Sequence, residues 1–278
     1  MRGGDPRGHG GPAGKAVNGT EVRIDPRAAI AEGAELGPGT TVGPFTVIGP
    51  RVHLGRDCRV GSHVVLEGDL AVGDRCSFFP FASLGQIPQD LKYRGERTRA
   101  RIGSDNVFRE SVTVNLGTAA GGGETVIGDG NFFMTGVHIA HDCRIGDGVI
   151  FANAATLAGH VDVQDGATVG AFSGVHQFCR IGREAFIGGY SVVTQDALPF
   201  CLTVGNRARC HGPNLVGLRR RGHQEPVIRA IKRAYMTVFR SKRPRTEALQ
   251  EIESELGGIE EVAFLCRFIR ESKRGVTG

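Results

Sequence analysis

No stretch of the 278 residues approaches eighteen consecutive apolar side chains, so no membrane-spanning helix is expected. Residues 1–20 are rich in Gly, Pro and charge and lack the apolar run of a secretory signal. They are expected to be disordered, and a cytoplasmic chain is the default. Aromatic residues make up only 6% of the composition, which argues against a base-stacking nucleic-acid surface. Acid is nearly missing between Arg207 and Arg245, where twelve basic residues face one acid, Glu225. A surface of that kind attracts acidic partners. Seven cysteines are an odd number in a chain without a secretion signal, which predicts free thiols.

What the chain does have is a period. An aliphatic or Phe residue recurs every sixth position from Ile24 through Ile30, Leu36, Val42 and Ile48 to Leu84. The period resumes at Ile102, slips phase once, and runs from Ile127 to Val193. Glycine often follows the aliphatic residue, as in Leu36-Gly37 and Ile145-Gly146, and a small residue often sits four places after it. Neither the 3.6 period of a helix nor the period of two of a half-exposed strand fits. Hexapeptide repetition is the mark of a parallel β-helix. Three hexapeptides close a triangular coil of eighteen residues, and adjacent coils lie about 4.8 Å apart. The 43 glycines are assigned to corners that need unusual backbone angles. Cys58, Cys76, Cys143 and Cys179 occupy the small position and read as core residues.

We divide the chain into a tail (1–20), a β-helix (21–205) and a C-terminal helical domain (206–278). Helical spacing begins near His223 with Val227, Ile231, Tyr235 and Val238. A second helix is expected from Pro244 and a third around Val262, Leu265 and Ile269. Two excursions interrupt the repeat, near 86–101 and 117–124. Leu84 and Ile102 are eighteen apart, so the first is read as keeping the repeat in phase, and the second shifts it by one. Departures from a regular rod are where binding function is usually carried.

The richest polar cluster is His138-Ile-Ala-His141-Asp142-Cys143. Steps of eighteen put Gly159 and Gln177 in a column after His141, and His160 one coil after Asp142. A histidine titrating near neutrality suits general-base work, and a neighbouring carboxylate can fix its tautomer. A glycine N–H one coil on can meet a developing oxyanion. No serine or cysteine is evidently paired with the histidine, which favours direct transfer over a covalent intermediate. The His138-x-x-His141 spacing with Cys143 permits a metal, but Cys143 is accounted for in the core and no metal is expected.

These motifs, with Leu157-Ala-Gly-His160, Val175-His-Gln177, Gln89-Asp90-Leu-Lys92-Tyr93 and Gly217-Leu-Arg-Arg220-Arg221-Gly222, resemble the bacterial acyl-(acyl-carrier-protein)–UDP-N-acetylglucosamine O-acyltransferases. The likeness runs from about Val22 to the C-terminus, both excursions included. It implies a left-handed β-helix, a homotrimer with clefts between subunits, and transfer of a (3R)-hydroxyacyl chain to the sugar 3-OH of UDP-N-acetylglucosamine. That reaction opens lipid A biosynthesis. By position it makes His141 the base, Asp142 its support and Gly159 the oxyanion donor. His138, His160, Gln177 and Asn214 contact substrate, Asp90 and Lys92 reach in from the first excursion, and Arg220 and Arg221 approach phosphates. It implies acyl carrier protein as the acidic partner and no separate cofactor, the acyl group arriving on phosphopantetheine. Gly189 matches the position that sets chain length and predicts a long chain, about fourteen carbons, by family analogy. It lies forty-eight residues after His141, two coils plus two sides, which itself argues for a cleft shared between subunits.

Two departures qualify the acceptor. Asn115-Leu116 stands where the family has His or Asn followed by Arg, and Val216 stands where some members place an acid. They leave open a 3-amino sugar nucleotide as acceptor, or a hexapeptide N-acyltransferase. A zinc enzyme of carbonic-anhydrase type and a plain scaffold are the readings from other classes.

Overall fold

The computed structural model describes residues 20–278. Of the stretch 1–20 expected to be disordered, all but Thr20 lies outside the described residues. From Arg23 onward the chain winds as a left-handed parallel β-helix whose short strands stack into three sheets. In the order the chain visits them, the first face begins at Arg23–Ile24, the second at Ala29–Ile30 and the third at Glu35–Leu36.

The register is the one the hexapeptides require. Ile30 pairs with Ile48, Ile48 with Leu66 and Leu66 with Leu84, each eighteen residues apart. The inward residues form one continuous core. Its most regular part is the ladder Phe78, Phe108, Phe133 and Phe151, with ring centroids 5.3, 4.8 and 5.1 Å apart and nearly parallel planes. Offset stacks of this kind add to the burial of the rings themselves.

The small position has a second duty beyond filling space. Thr40 and Thr46 donate to Gly55 O and Gly61 O at 3.0 and 2.7 Å. The Cys58, Cys76 and Cys143 thiols make the same bond at 3.2–3.3 Å, so each satisfies a backbone carbonyl of the next coil. All seven cysteines are buried and free.

The glycines divide differently from expectation. Many left-handed corner positions are held by other residues, among them Asp142, His160 and Phe178 in one column, with φ of 60°, 61° and 65°. The glycine that follows the aliphatic residue is needed for a different reason. A Cβ at Gly37 would stand 2.5 Å from the Gly55 carbonyl group of the next coil. Close coil approach, not backbone angle, demands glycine there.

Across the first excursion Leu84 pairs with Val114, thirty residues away. The loop therefore adds twelve residues, two whole hexapeptides. Sixfold phase survives, but Leu84 and Ile102 lie on different faces, the second and the third. Across the second excursion Val114 pairs with Ile139 at twenty-five, so that loop adds seven.

The β-helix does not stop cleanly at 205. Its last strand, Cys201–Val204, turns back into an antiparallel partner, Arg209–Pro213. Four helices follow: α1 (Leu215–Arg220), α2 (Glu225–Arg240), α3 (Arg245–Leu256) and α4 (Glu260–Arg270). Three were expected. The extra one, α1, is short, with Asn214 as its N-cap and Leu218 buried against Ile228 and Ile231. The helices pack on the hairpin through Cys201, Cys210, Tyr235, Leu249 and Leu265. Arg180 ties the two parts together. It reaches buried Asp196 at 3.3 Å, donates to Phe268 O at 2.6 Å and lies 4.0 Å over the Phe268 ring.

Candidate active site

A cleft of about 490 Å³ runs along the second face. The strand starts His138, Thr156, Gly174 and Val192 form its floor, and His141, Gly159, His176 and Gln89 stand around it. Its apolar surface comes from Ala140, Leu157, Ala158, Val175 and Val192, beside the polar His138 and Thr156.

The stacking reading holds at atomic detail for His141 and Gly159. The His160 N–H donates to His141 O at 3.0 Å, which locks one coil's corner onto the next. The His141 imidazole lies directly on Gly159. A Cβ there would come within 2.5 Å of ring Cε1 and 2.7 Å of Nε2. The Gly159 N–H itself makes no hydrogen bond among the described residues.

Asp142 is buried, its side chain 1% exposed. Its Oδ2 accepts from His141 Nδ1 at 2.7 Å, which assigns the proton to Nδ1 and leaves Nε2 without a partner among the described residues. The carboxylate also accepts from the Thr118 N–H at 2.8 Å and the Thr118 hydroxyl at 2.6 Å. Thr125 accepts the Asp142 backbone N–H at 2.8 Å.

Burial favours the neutral form of His138 and His160. Burial pushes His138 down, and the neighbouring His141 adds to the effect. The Thr113 hydroxyl pairs with His138 Nδ1 at 2.8 Å. His160 also shifts down through burial, against the opposing pull of Asp142 and Asp90. Its ring sits edge-on to His141 at 5.1 Å and stacked on Phe178 at 4.5 Å.

Asp90 is thus near enough to act on His160. Lys92 donates its backbone N–H to Asp90 at 2.9 Å, but its ammonium makes no hydrogen bond or ion pair among the described residues. Gln177 occupies the predicted column position but is exposed and outside the cleft lining.

Asn214, Arg220 and Arg221 are elsewhere. They line a cavity of about 340 Å³ on the first face, with Gly166, Thr168 and Glu184. Arg221 donates to Gly166 O and lies 3.9 Å from Glu184. One chain therefore does not join the arginines to the histidine cleft. Gly189 also lies outside the cleft lining, at the corner that leads into the strand Val192–Val193. Leu116 is buried in the core and Val216 is exposed on α1.

His141, Asp142 and His160 offer ligand atoms within 4.8 Å of one another, the one such group among the described residues. Cys143 is not in it, because its thiol points into the core. Thr118 and Thr125 were not anticipated, and His176 and Phe178, which flank Gln177 in sequence, were given no role. Phe178 and His176 lay within reach, since eighteen residues separate Phe178 from His160. Thr118 belongs to an excursion, where the ruler has no meaning.

The model for UDP-N-acetylglucosamine O-acyltransferase, domain 2, matches residues 196–277, and the bacterial transferase hexapeptide model matches 33–68 and 124–159. The acyl-(acyl-carrier-protein)–UDP-N-acetylglucosamine O-acyltransferase of Thermodesulfovibrio yellowstonii is 47% identical over 91% of this chain and 98% of its own length. The same enzyme from Alkalilimnicola ehrlichii is 51% identical over 70% of this chain and 76% of its own. A solved UDP-N-acetylglucosamine acyltransferase from Campylobacter jejuni superposes with a TM-score of 0.86 at 38% identity, covering 92% of this chain and 99% of that one.

Proposed function

The chain belongs to the acyl-(acyl-carrier-protein)–UDP-N-acetylglucosamine O-acyltransferase family, and from that premise we propose that it performs the first step of lipid A biosynthesis. It moves an acyl chain from acyl carrier protein to UDP-N-acetylglucosamine, and we assign the transferred group as (3R)-hydroxyacyl and the acceptor as the sugar 3-OH. The observation that carries the reading is the His141 imidazole, bonded through Nδ1 to Asp142 and seated on Gly159.

In this mechanism His141 Nε2 takes the proton of the 3-OH as its oxygen attacks the thioester carbonyl. The Gly159 N–H stabilises the oxyanion that forms. Collapse expels the phosphopantetheine thiolate, which takes the proton back from the imidazolium. Asp142 holds the tautomer and offsets the positive charge that develops on His141. No separate cofactor enters, because the acyl group arrives already activated as a thioester.

A homotrimer is the assembly we favour. His141 and the Arg220-Arg221 pair lie on different faces of one chain, an arrangement that supports a cleft shared with a neighbouring copy. Phe45, Phe81, Phe172 and Tyr190, all more than half exposed, form an aromatic edge suited to such a contact. Acidic acyl carrier protein fits the basic C-terminal surface, and the reaction runs in the cytoplasm. Gly189 leaves room for a long acyl chain.

The test is transfer to UDP-N-acetylglucosamine by purified protein, with hydroxyacyl carrier proteins of graded length. His141→Ala should lose transfer by several orders of magnitude, and near wild-type transfer would remove His141 as the base. Inactive His141→Ala and Arg221→Ala chains, mixed and refolded together, should regain activity if the site is shared. No recovery would place the whole site within one chain.

A further inference from the structure

The second excursion adds seven residues to one coil, and its first ordered turn ends on the catalytic carboxylate. Thr118 gives Asp142 two hydrogen bonds, its N–H to Oδ1 at 2.8 Å and its hydroxyl to Oδ2 at 2.6 Å. Both residues are buried, 5% and 6% exposed. Thr118 also caps the short 3-10 turn Ala119–Gly121, its Oγ1 accepting the Gly121 N–H at 3.1 Å. Gly121 closes the arrangement: a Cβ there would collide with the Asp142 carboxylate.

Every carboxylate hydrogen bond seen at Asp142 thus comes from one of two residues, His141 and Thr118. Oδ2 takes both the imidazole Nδ1–H and the threonine O–H, and Oδ1 takes the threonine N–H. Two donors from one residue fix the plane of the carboxylate, and that plane fixes where His141 Nε2 points. A carboxylate free to rotate about its Cβ–Cγ bond would hold the imidazole less well, and transfer geometry is sensitive to such looseness. Asp142 itself sits at a corner with φ of 60°, its backbone N–H held by the Thr125 hydroxyl oxygen at 2.8 Å.

We propose that Thr118 is a positioning residue for the transfer reaction: it clamps Asp142 so that Asp142 can aim His141. The assignment rests on His141 as the base. It gives the second excursion a purpose in the chemistry, distinct from binding substrate, since Thr118 is absent from the cleft lining.

Thr118→Val, which keeps size and branching but removes the hydroxyl, should lower kcat roughly tenfold to a hundredfold, the range for a lost hydrogen bond to a charged group. The KM values for both substrates should stay within about twofold, because ground-state binding is untouched. Thr118→Ser keeps the hydroxyl and should recover most of kcat. The downfield His141 Nδ1–H proton resonance of the free enzyme, identified by its absence in His141→Ala, should broaden or vanish in Thr118→Val and persist in Thr118→Ser. Wild-type kcat in a folded Thr118→Val would overturn the clamp, and so would equal losses in the Val and Ser variants or a lower melting temperature with unchanged kcat. If instead His141→Ala stays active, the base assignment fails on its own account, independently of what Thr118→Val does.

Discussion

Replacing Gly159 by alanine adds one methyl group at the most crowded point of the site. The new Cβ would stand 2.5 Å from His141 Cε1, 2.7 Å from Nε2 and 3.0 Å from Nδ1. Non-bonded carbons prefer about 3.5–4 Å, so the ring must withdraw by about 1 Å. The Nδ1 bond to Asp142 is 2.7 Å now, and a shift of that size takes it past hydrogen-bond range. Misplacement of a catalytic group by about 1 Å can cost on the order of a hundredfold in rate, or about 2.7 kcal/mol of barrier. The backbone itself does not require glycine here, since Gly159 is not in the left-handed region and alanine can adopt its angles. We therefore expect a folded Gly159→Ala protein with normal melting, kcat lower by about a hundredfold and little change in KM. Steady-state transfer assays beside a thermal melt measure both quantities. A folded variant with more than half the wild-type kcat would refute the claim that the imidazole depends on its seat on Gly159.

Three further outcomes follow from the same structure. Asp196→Ala should destabilise the protein by about 3 kcal/mol in denaturant titration, because it strands the partly buried Arg180 and removes acceptors used by Ser272 and the Arg180 N–H. His138 and His160 titrate below their usual value through burial, so below about pH 6.5 the unfolded chain binds more protons than the folded one. Stability should then fall as pH drops from 7.5 to 5.5, and His138→Gln should flatten part of that slope in melting experiments. Burial pushes the Cys143 thiol up to about 12 and Cys179 and Cys266 to about 11, so peptide mapping should find these three thiols of the native protein at pH 8 unmodified by iodoacetamide until it is unfolded.

The legible part of this protein was the part governed by stacking. The six-residue spacing named the inward positions from Ile30 to Val193, and steps of eighteen set His141 on Gly159 and His160 beside Asp142. Such inferences succeed because each coil touches only its neighbours, so spatial contact is a fixed function of sequence separation. The same ruler failed across residues 87–98, where the Leu84 partner is thirty residues away instead of eighteen. Helix α1 escaped notice because six residues containing Gly217 have little intrinsic helicity, and it forms through the Asn214 cap and the burial of Leu218.

The sequence by itself therefore determined the architecture, the inward faces and the seating of His141 on Gly159, all of them periodic properties. Only the tertiary structure decided what the aperiodic segments do. It folded the second excursion back so that Thr118 grips Asp142, and it docked the helices through Arg180, Asp196 and Phe268. It also put Arg220 and Arg221 on a face away from His141, which spacing could not foresee. Contacts of that kind depend on how loops close and how surfaces meet over long sequence separations, and no local repeat encodes them.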